Sequence, residues 1–431
     1  MKVQLITYSL SLLLALSLSA KETYTVDELI LQALQNSPDL KINSYEYDAS
    51  QERLDTATSD YLPNVNLHLS TTHASQSDVP TNPDEMISDK FLLGNISLKQ
   101  LLYDFGKTGG NVDSYKYDSD AYSMNKEQEI SNKIRDVKRA YYNVLQAIAI
   151  IKVNEENIKL NAAQLYRSQK YFEAGIRTKI DVSDAKVGLI QAKLDFKKSE
   201  YDLKLAYAEL DKTVGFMDLK NDYTVYSQDL DLNNLYSSLQ AYALSLNESI
   251  DFAYKNRYLL KQYSALIKSS QAKETLASSN YFPSLYFDAD YTRYELADFV
   301  TTPDEQWQTS FNLDWNIYEG GATSASTQEK QIQVKIAQSE LLNTKLSIKE
   351  ETTSAYINVY KMKDSVELSQ SLLEVSIEKF DQAGKRYENG LSDYIELQQA
   401  RQGYIDAKAS LVINYYNYYA AIAVLDNAIG K

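Results

Sequence analysis

The chain has 431 residues, with 44 Lys and Arg against 59 Asp and Glu, a formal charge of −15. An acidic balance of that size disfavours nucleic acid as a partner. There is no Cys, which excludes disulfides and a lipidated N-terminal cysteine.

Residues 1–20, MKVQLITYSLSLLLALSLSA, carry Lys2, an apolar core and a small-residue exit near Ala20, the pattern of a secretory signal peptide. A mature chain beginning near Lys21 has 43 basic against 59 acidic residues and a charge of −16. No later stretch has the roughly 18 consecutive apolar residues of a spanning helix. A membrane crossing therefore requires a β-barrel.

All six prolines lie at 38, 63, 80, 83, 283 and 303. An internal proline removes a backbone donor and clashes with the preceding turn, so 84–282 and 304–431 are free to form very long helices. Two alternating segments sit among the prolines. Val65, Leu67 and Leu69 alternate with Asn66, His68 and Ser70; Leu285, Phe287, Ala289 and Tyr291 alternate with Tyr286, Asp288, Asp290 and Thr292. Returning strands at 94–99 and 307–317 complete two predicted β-hairpins, about 64–103 and 284–318. A single such strand fits a half-buried soluble hairpin as well as a transmembrane strand. Four of them in an exported chain, with Trp307, Trp315 and Tyr291 available for an aromatic girdle, favour the membrane. The smallest bacterial barrels have about 8 strands. A barrel built from four strands per chain must be shared between subunits.

The proline-free regions show heptads. From Ala140 through Val144, Ile151 and Asn161 to Ser168 and Phe172, a four-three spacing alternates small and large residues, and it recurs from Ala355 to Tyr387. Arms from Ala185 to Leu210 and from Ala400 to Leu425 behave alike. Sustained heptads mean coiled-coil packing. A second apolar line, Ile130, Ile134, Val137 and Tyr141, gives the first arm two packing faces. A helix over 106–172 spans about 100 Å at 1.5 Å per residue. Each long arm breaks at Gly175 or Gly390 and returns, so a helical hairpin with a tip there is expected in each half.

The two halves are copies. Residues 36–72 align with 256–292 at an offset of 220; Ala140-Tyr-Tyr-Asn-Val-Leu145 aligns with Ala355-Tyr-Ile-Asn-Val-Tyr360, and Gly215 with Gly430, at an offset of 215. The expected organisation is a signal peptide at 1–20 and a first repeat at 21–215, with its helical hairpin at about 106–212. A polar equatorial linker at 216–240 leads to a second repeat at 241–431, with its helical hairpin at about 320–427.

At this point the chain resembles the TolC-like outer-membrane efflux family. The duplication, the paired strands, the strand-to-helix junctions Leu-Leu-Tyr-Asp-Phe-Gly (101–106) and Asn-Ile-Tyr-Glu-Gly-Gly (316–321), and the tips Tyr171-Phe-Glu-Ala-Gly175 and Arg386-Tyr-Glu-Asn-Gly390 carry the likeness. The resemblance implies a homotrimer in outer-membrane lipid, with one twelve-stranded β-barrel continued by a twelve-helix periplasmic tunnel that is gated at its far end. It implies a passive exit duct for tripartite efflux or type I secretion, without catalysis or cofactor. The partners it implies are a periplasmic adaptor and an inner-membrane transporter. The alternative from another class is a periplasmic or surface coiled-coil scaffold or adhesin without a channel.

The same resemblance assigns the gate. In relatives the second-copy hairpin faces the pore and carries two acids a helical turn apart, tied closed through a nearby Arg and Tyr. Glu396 matches the first acid and Tyr387 the Tyr, whereas Gln399 stands at the second acid and Ser392 at the Arg. Glu396, helped by Asp393, would form a ring of three carboxylates that attracts cations; solvated tip charges are the alternative. Arg177, Asp181 and Asp184 are candidate inter-hairpin links. Gly175, Ile176, Arg177, Thr178, Gly390, Leu391 and Ser392 are candidate adaptor contacts, because exposed apolar residues at a turn need a reason. Packing between neighbouring tips serves equally.

Other motifs carry no chemistry. Asp104-Phe105-Gly106 lacks the remaining kinase elements, and Gly106-Lys107-Thr108 has Leu101 where a phosphate loop needs glycine. His68 and His73 have no Cys beside them, which argues against a zinc or nucleophilic site. Girdles and helix seams account for only some of the 36 tyrosines.

Overall fold

A computed structural model describes residues 22–76, 87–217, 223–296 and 304–431, so the expected signal peptide lies outside the described residues. In chain order the elements are β1 (Glu22–Tyr24), α1 (Val26–Asn36), α2 (Pro38–Thr58), β2 (Asn64–Gln76), β3 (Ile87–Tyr103), α3 (Lys107–Glu173) and α4 (Lys179–Val214). There follow β4 (Tyr223–Val225), α5 (Leu246–Asn256), α6 (Tyr258–Ser279), β5 (Ser284–Leu296), β6 (Asp304–Asp314), α7 (Ala322–Glu388) and α8 (Tyr394–Ile429). No described helix is long and apolar enough to cross a membrane. Contacts divide the chain into two units. One comprises 38–132, 243–356 and 425–431; the other comprises the residues up to 37, 133–242 and 357–424.

The first unit is organised by an antiparallel sheet of order β2-β3-β5-β6. Its register aligns the faces: Leu67, Ile96, Tyr291 and Trp307 form one cross-strand row, and Asn66, Ser97, Asp290 and Gln308 form the next. Side chains alternate across a pleated strand, so this register gives one apolar and one polar face. Val65, Leu67, Leu69, Trp307, Phe311 and Leu313 are all more than half exposed. On the polar face Asn95 donates to Thr292 at 2.9 Å, and the Lys99 ammonium lies 4.2 Å from the Tyr286 ring centre. Neither β2 nor β6 has an outer neighbour among the described residues. The strand predicted to reach Ile317 stops at Asp314. Trp315 there turns its indole N–H onto the Tyr281 carbonyl, and Asn316 bonds to Glu319 at the entry to α7.

Sequence details explain the joints. Asp104 follows β3 and accepts from the backbone N–H groups of Gly106 (3.1 Å) and Thr108 (2.6 Å), satisfying orphan donors at the start of α3. The α5–α6 break falls at Arg257 without a proline. Arg257 holds it by donating to the Asn427 carbonyl at 2.9 Å and pairing with Glu351 at 2.8 Å. Gly430, at φ 78°, rests against the backbone of Asn256 and Arg257.

The second unit is built on helix seams. Ala140, Val144, Asn161, Ser168, Leu373, Leu411 and Ala421 are buried, and each fully buried Leu contributes roughly 2 kcal/mol. Gly215, at φ 87°, packs on Asn36 and Ser37 at the α1–α2 break. A Cβ there would meet backbone at 3.1 Å. β1 and β4 pair in parallel, and the irregular segment after β4 is held by tyrosines. Tyr141 donates to the Tyr226 carbonyl (2.6 Å), Tyr418 to Gln240 (2.5 Å) and Tyr419 to Ser238 (3.3 Å). An irregular segment leaves carbonyls without ladder partners, and these hydroxyls supply them. Burial of the Tyr141 ring pushes its pKa up to about 12.

Candidate functional site

The hairpin tips use one backbone solution twice. Gly175 and Gly390 both lie at φ 72°, where a side chain would be strained. The following N–H reaches back to the last helical turn, Ile176 to the Tyr171 carbonyl (2.8 Å) and Leu391 to Arg386 (2.9 Å). The side chains then diverge. At the first tip Thr178 caps α4: its hydroxyl accepts from the Asp181 N–H, and the Asp181 carboxylate accepts from the Thr178 N–H at 2.9 Å. The Asp181 carboxylate is therefore engaged within its own helix start. At the second tip Asp393 caps alone, accepting from the Glu396 N–H at 2.9 Å. Glu396 turns instead to Arg386, with Nε to Oε1 at 3.0 Å in an exposed pair.

Tyr387 is fully buried, in a cluster with Ala185, Ala383, Tyr394, Leu397 and Ala400. Arg177 crosses from the first tip onto this cluster. Its guanidinium donates to the carbonyls of Tyr387 (3.0 Å) and Ser392 (3.3 Å) and stands 4.6 Å from the Tyr387 ring centre. Asp184 engages through its backbone, its carbonyl accepting from the Tyr394 hydroxyl at 3.4 Å. Gln399 is exposed, as are Ile176, Thr178 and Leu391. The hydroxyls of Tyr387 and Ser392 are buried without a hydrogen-bond partner among the described residues.

Three contributors were missed in the sequence. Arg386 pairs with Glu396, the Tyr394 hydroxyl bridges towards Asp184, and the buried Arg401 donates to that hydroxyl at 3.4 Å. Arg401 directly follows the seam residue Ala400, a weak signal that a cation is turned inward. The girdle candidates occupy opposite ends of the sheet. Tyr291 and Trp307 are cross-strand neighbours with ring centres 4.6 Å apart, and Trp315 lies beyond the other end of β6.

A family model described as outer membrane efflux protein matches residues 29–215 and 250–431. Outer membrane protein TolC of Salmonella enteritidis is 21% identical over 437 residues, covering 95% of this chain and 83% of that protein. The alkaline protease secretion protein AprF of Pseudomonas aeruginosa is also 21% identical, over 43% of this chain and 38% of its own. Among solved structures, CusC, described in terms of folding and transmembrane channel formation, superposes with a TM-score of 0.83 at 16% identity. That likeness covers 94% of this chain and 92% of CusC, and at such identity it shows the fold alone. With most of the chain inside the family match, it belongs to the outer membrane efflux protein family and is an outer-membrane exit duct of the kind used in efflux and secretion.

Proposed function

We propose that three copies of this chain close their sheets into one twelve-stranded barrel in the outer membrane, continued by a helical conduit across the periplasm. The observation that carries this reading is the sheet of order β2-β3-β5-β6, apolar and exposed on one face and, among the described residues, open at both edges. In lipid every backbone donor and acceptor must be satisfied, so open edges have to pair with other copies. Two copies would give eight strands, whose interior side chains fill. Three give twelve, enough for an aqueous path. The rows from Leu285 to Tyr291 span about 20 Å along the strand, so Trp315 and the Tyr291–Trp307 pair bracket an apolar band as aromatic girdles do.

The helices also call for neighbouring copies. Ile180, Val187, Leu194 and Tyr201 on α4, and Leu368, Leu372 and Val375 on α7, form apolar lines that their own chain leaves exposed. Heptad lines of this kind are covered by another helix. The conduit is passive; an inner-membrane transporter and a periplasmic adaptor supply energy and cargo, the adaptor meeting the tip turns at 175–178 and 390–392. At the tips Arg177 ties the first hairpin to the second, and Glu396 with Asp393 forms the carboxylate ring of the pore. Single-channel recording on purified protein in planar bilayers, paired with native mass measurement, tests the reading. A discrete conductance from a trimer is expected. A monomer without conductance would leave the coiled-coil scaffold.

A further inference from the structure

The corner where α5 meets α6 holds a groove of about 530 Å³, within the range of small-molecule sites. Its floor is apolar, from Met124 on α3, Leu260 on α6 and Leu341 on α7. Its rim carries Lys255, Lys261, Lys268 and Lys345, all exposed. None of these four lysines pairs with a carboxylate among the described residues; Lys261 and Lys268 lie only over the rings of Tyr258 and Tyr117. One acid, Asp120, stands in the wall. Arg257 closes the groove's end, buried, with its Nε lacking an acceptor after Glu351 and Asn427 have taken the other nitrogens.

This is a local reversal of sign on a chain of charge −15. Lys261 and Lys268 are seven residues apart on one helix, about 10 Å along its axis, and like charges gathered without counter-charge are unfavourable. Packing does not demand them. In the first copy the positions of Lys255, Arg257, Lys268 and Lys345 are held by Gln35, Ser37, Asp48 and Ile130, and only Lys261 has a basic counterpart, Lys41. There the same two-helix break forms between α1 and α2.

We infer that this groove binds a soluble amphipathic anion: an apolar body on Leu260, Met124 and Leu341, carrying a phosphate or similarly charged group held by the lysines. The site is independent of the barrel and of the gate. To test it, 1-naphthyl phosphate is titrated into the full-length protein in uncharged detergent and followed by its fluorescence, with 1-naphthol and inorganic phosphate as separate arms. The variants are Lys261→Gln/Lys268→Gln/Lys345→Gln, the corresponding triple Arg set, and Lys41→Gln. Saturable binding to the wild type is expected, weakened about tenfold or more in the Gln set. The Arg set and Lys41→Gln should retain it, and each isolated half of the ligand should bind more weakly. No saturable binding into the millimolar range would overturn the site, as would equal binding by the Gln set or naphthol binding as tightly as its phosphate. The Arg set keeps the charge and the fold, so a loss of binding there would equally remove the electrostatic account.

Discussion

The two hairpin tips share a backbone and differ in what their acids do. At equivalent positions, 178 and 393, 181 and 396, the first tip closes a capping box through Thr178 and Asp181, whereas the second caps with Asp393 alone and releases Glu396 to Arg386. Phe172 is half exposed, yet its counterpart Tyr387 is the buried centre of the cluster that Arg177 grips. The turn is the same at both tips, and a few residue differences place the charge in a local cap at one and in an exposed pair at the other. The second tip is thus the one whose carboxylate, Glu396, is held in an exposed ion pair and not in a helix cap.

Six substitutions would break or sharpen this contrast. Tyr387→Ala should have the largest effect, about 3–5 kcal/mol for emptying a buried aromatic site. Phe172→Ala should lie within ~0.5 kcal/mol, as at other surface positions. Equal losses in denaturant unfolding would erase the asymmetry. Arg177→Ala comes next, with a local cost of about 2 kcal/mol from two charge-assisted hydrogen bonds and a ring contact. Hydrogen exchange should quicken at the amides of both tips, and acceleration confined to the first tip would remove Arg177 as a cross-link. Thr178→Ala and Asp393→Ala each delete a cap worth about 1 kcal/mol. Their exchange effects should stay within α4 and α8 respectively, and spread from one helix start to the other would contradict separate capping. Glu396→Gln should cost the least stability, under ~1 kcal/mol, because its pair with Arg386 is exposed. Its readout is cation block of single channels, which should fall; unchanged block would take Glu396 out of the gate.

Much of the architecture was legible because it repeats at short range. The four-three spacing marked the helix faces that are buried, from Ala140 and Val144 to Leu411 and Leu425, since burial of a coiled-coil seam is encoded every three or four residues. Alternation marked the strands, as at Val65, Leu67 and Leu69, because a pleat has period two. The tyrosine excess was visible without its purpose, which emerged when hydroxyls of residues such as Tyr141 and Tyr418 were found on carbonyls of the irregular segment many positions away.

At the site, the glycine turns marked the tips because they are local features, and the family resemblance matched Glu396 and Tyr387 there to gate positions. The partner of each could not be read that way. Arg386 and Glu396 lie ten positions apart across a turn, Arg177 and Tyr387 lie 210 apart, and Arg401 is buried in a helix whose neighbouring residues gave little sign of it. Periodicity decides which face of a helix turns inward. Which charge meets which depends on how the turns bring separate helices together, and that is decided only in three dimensions.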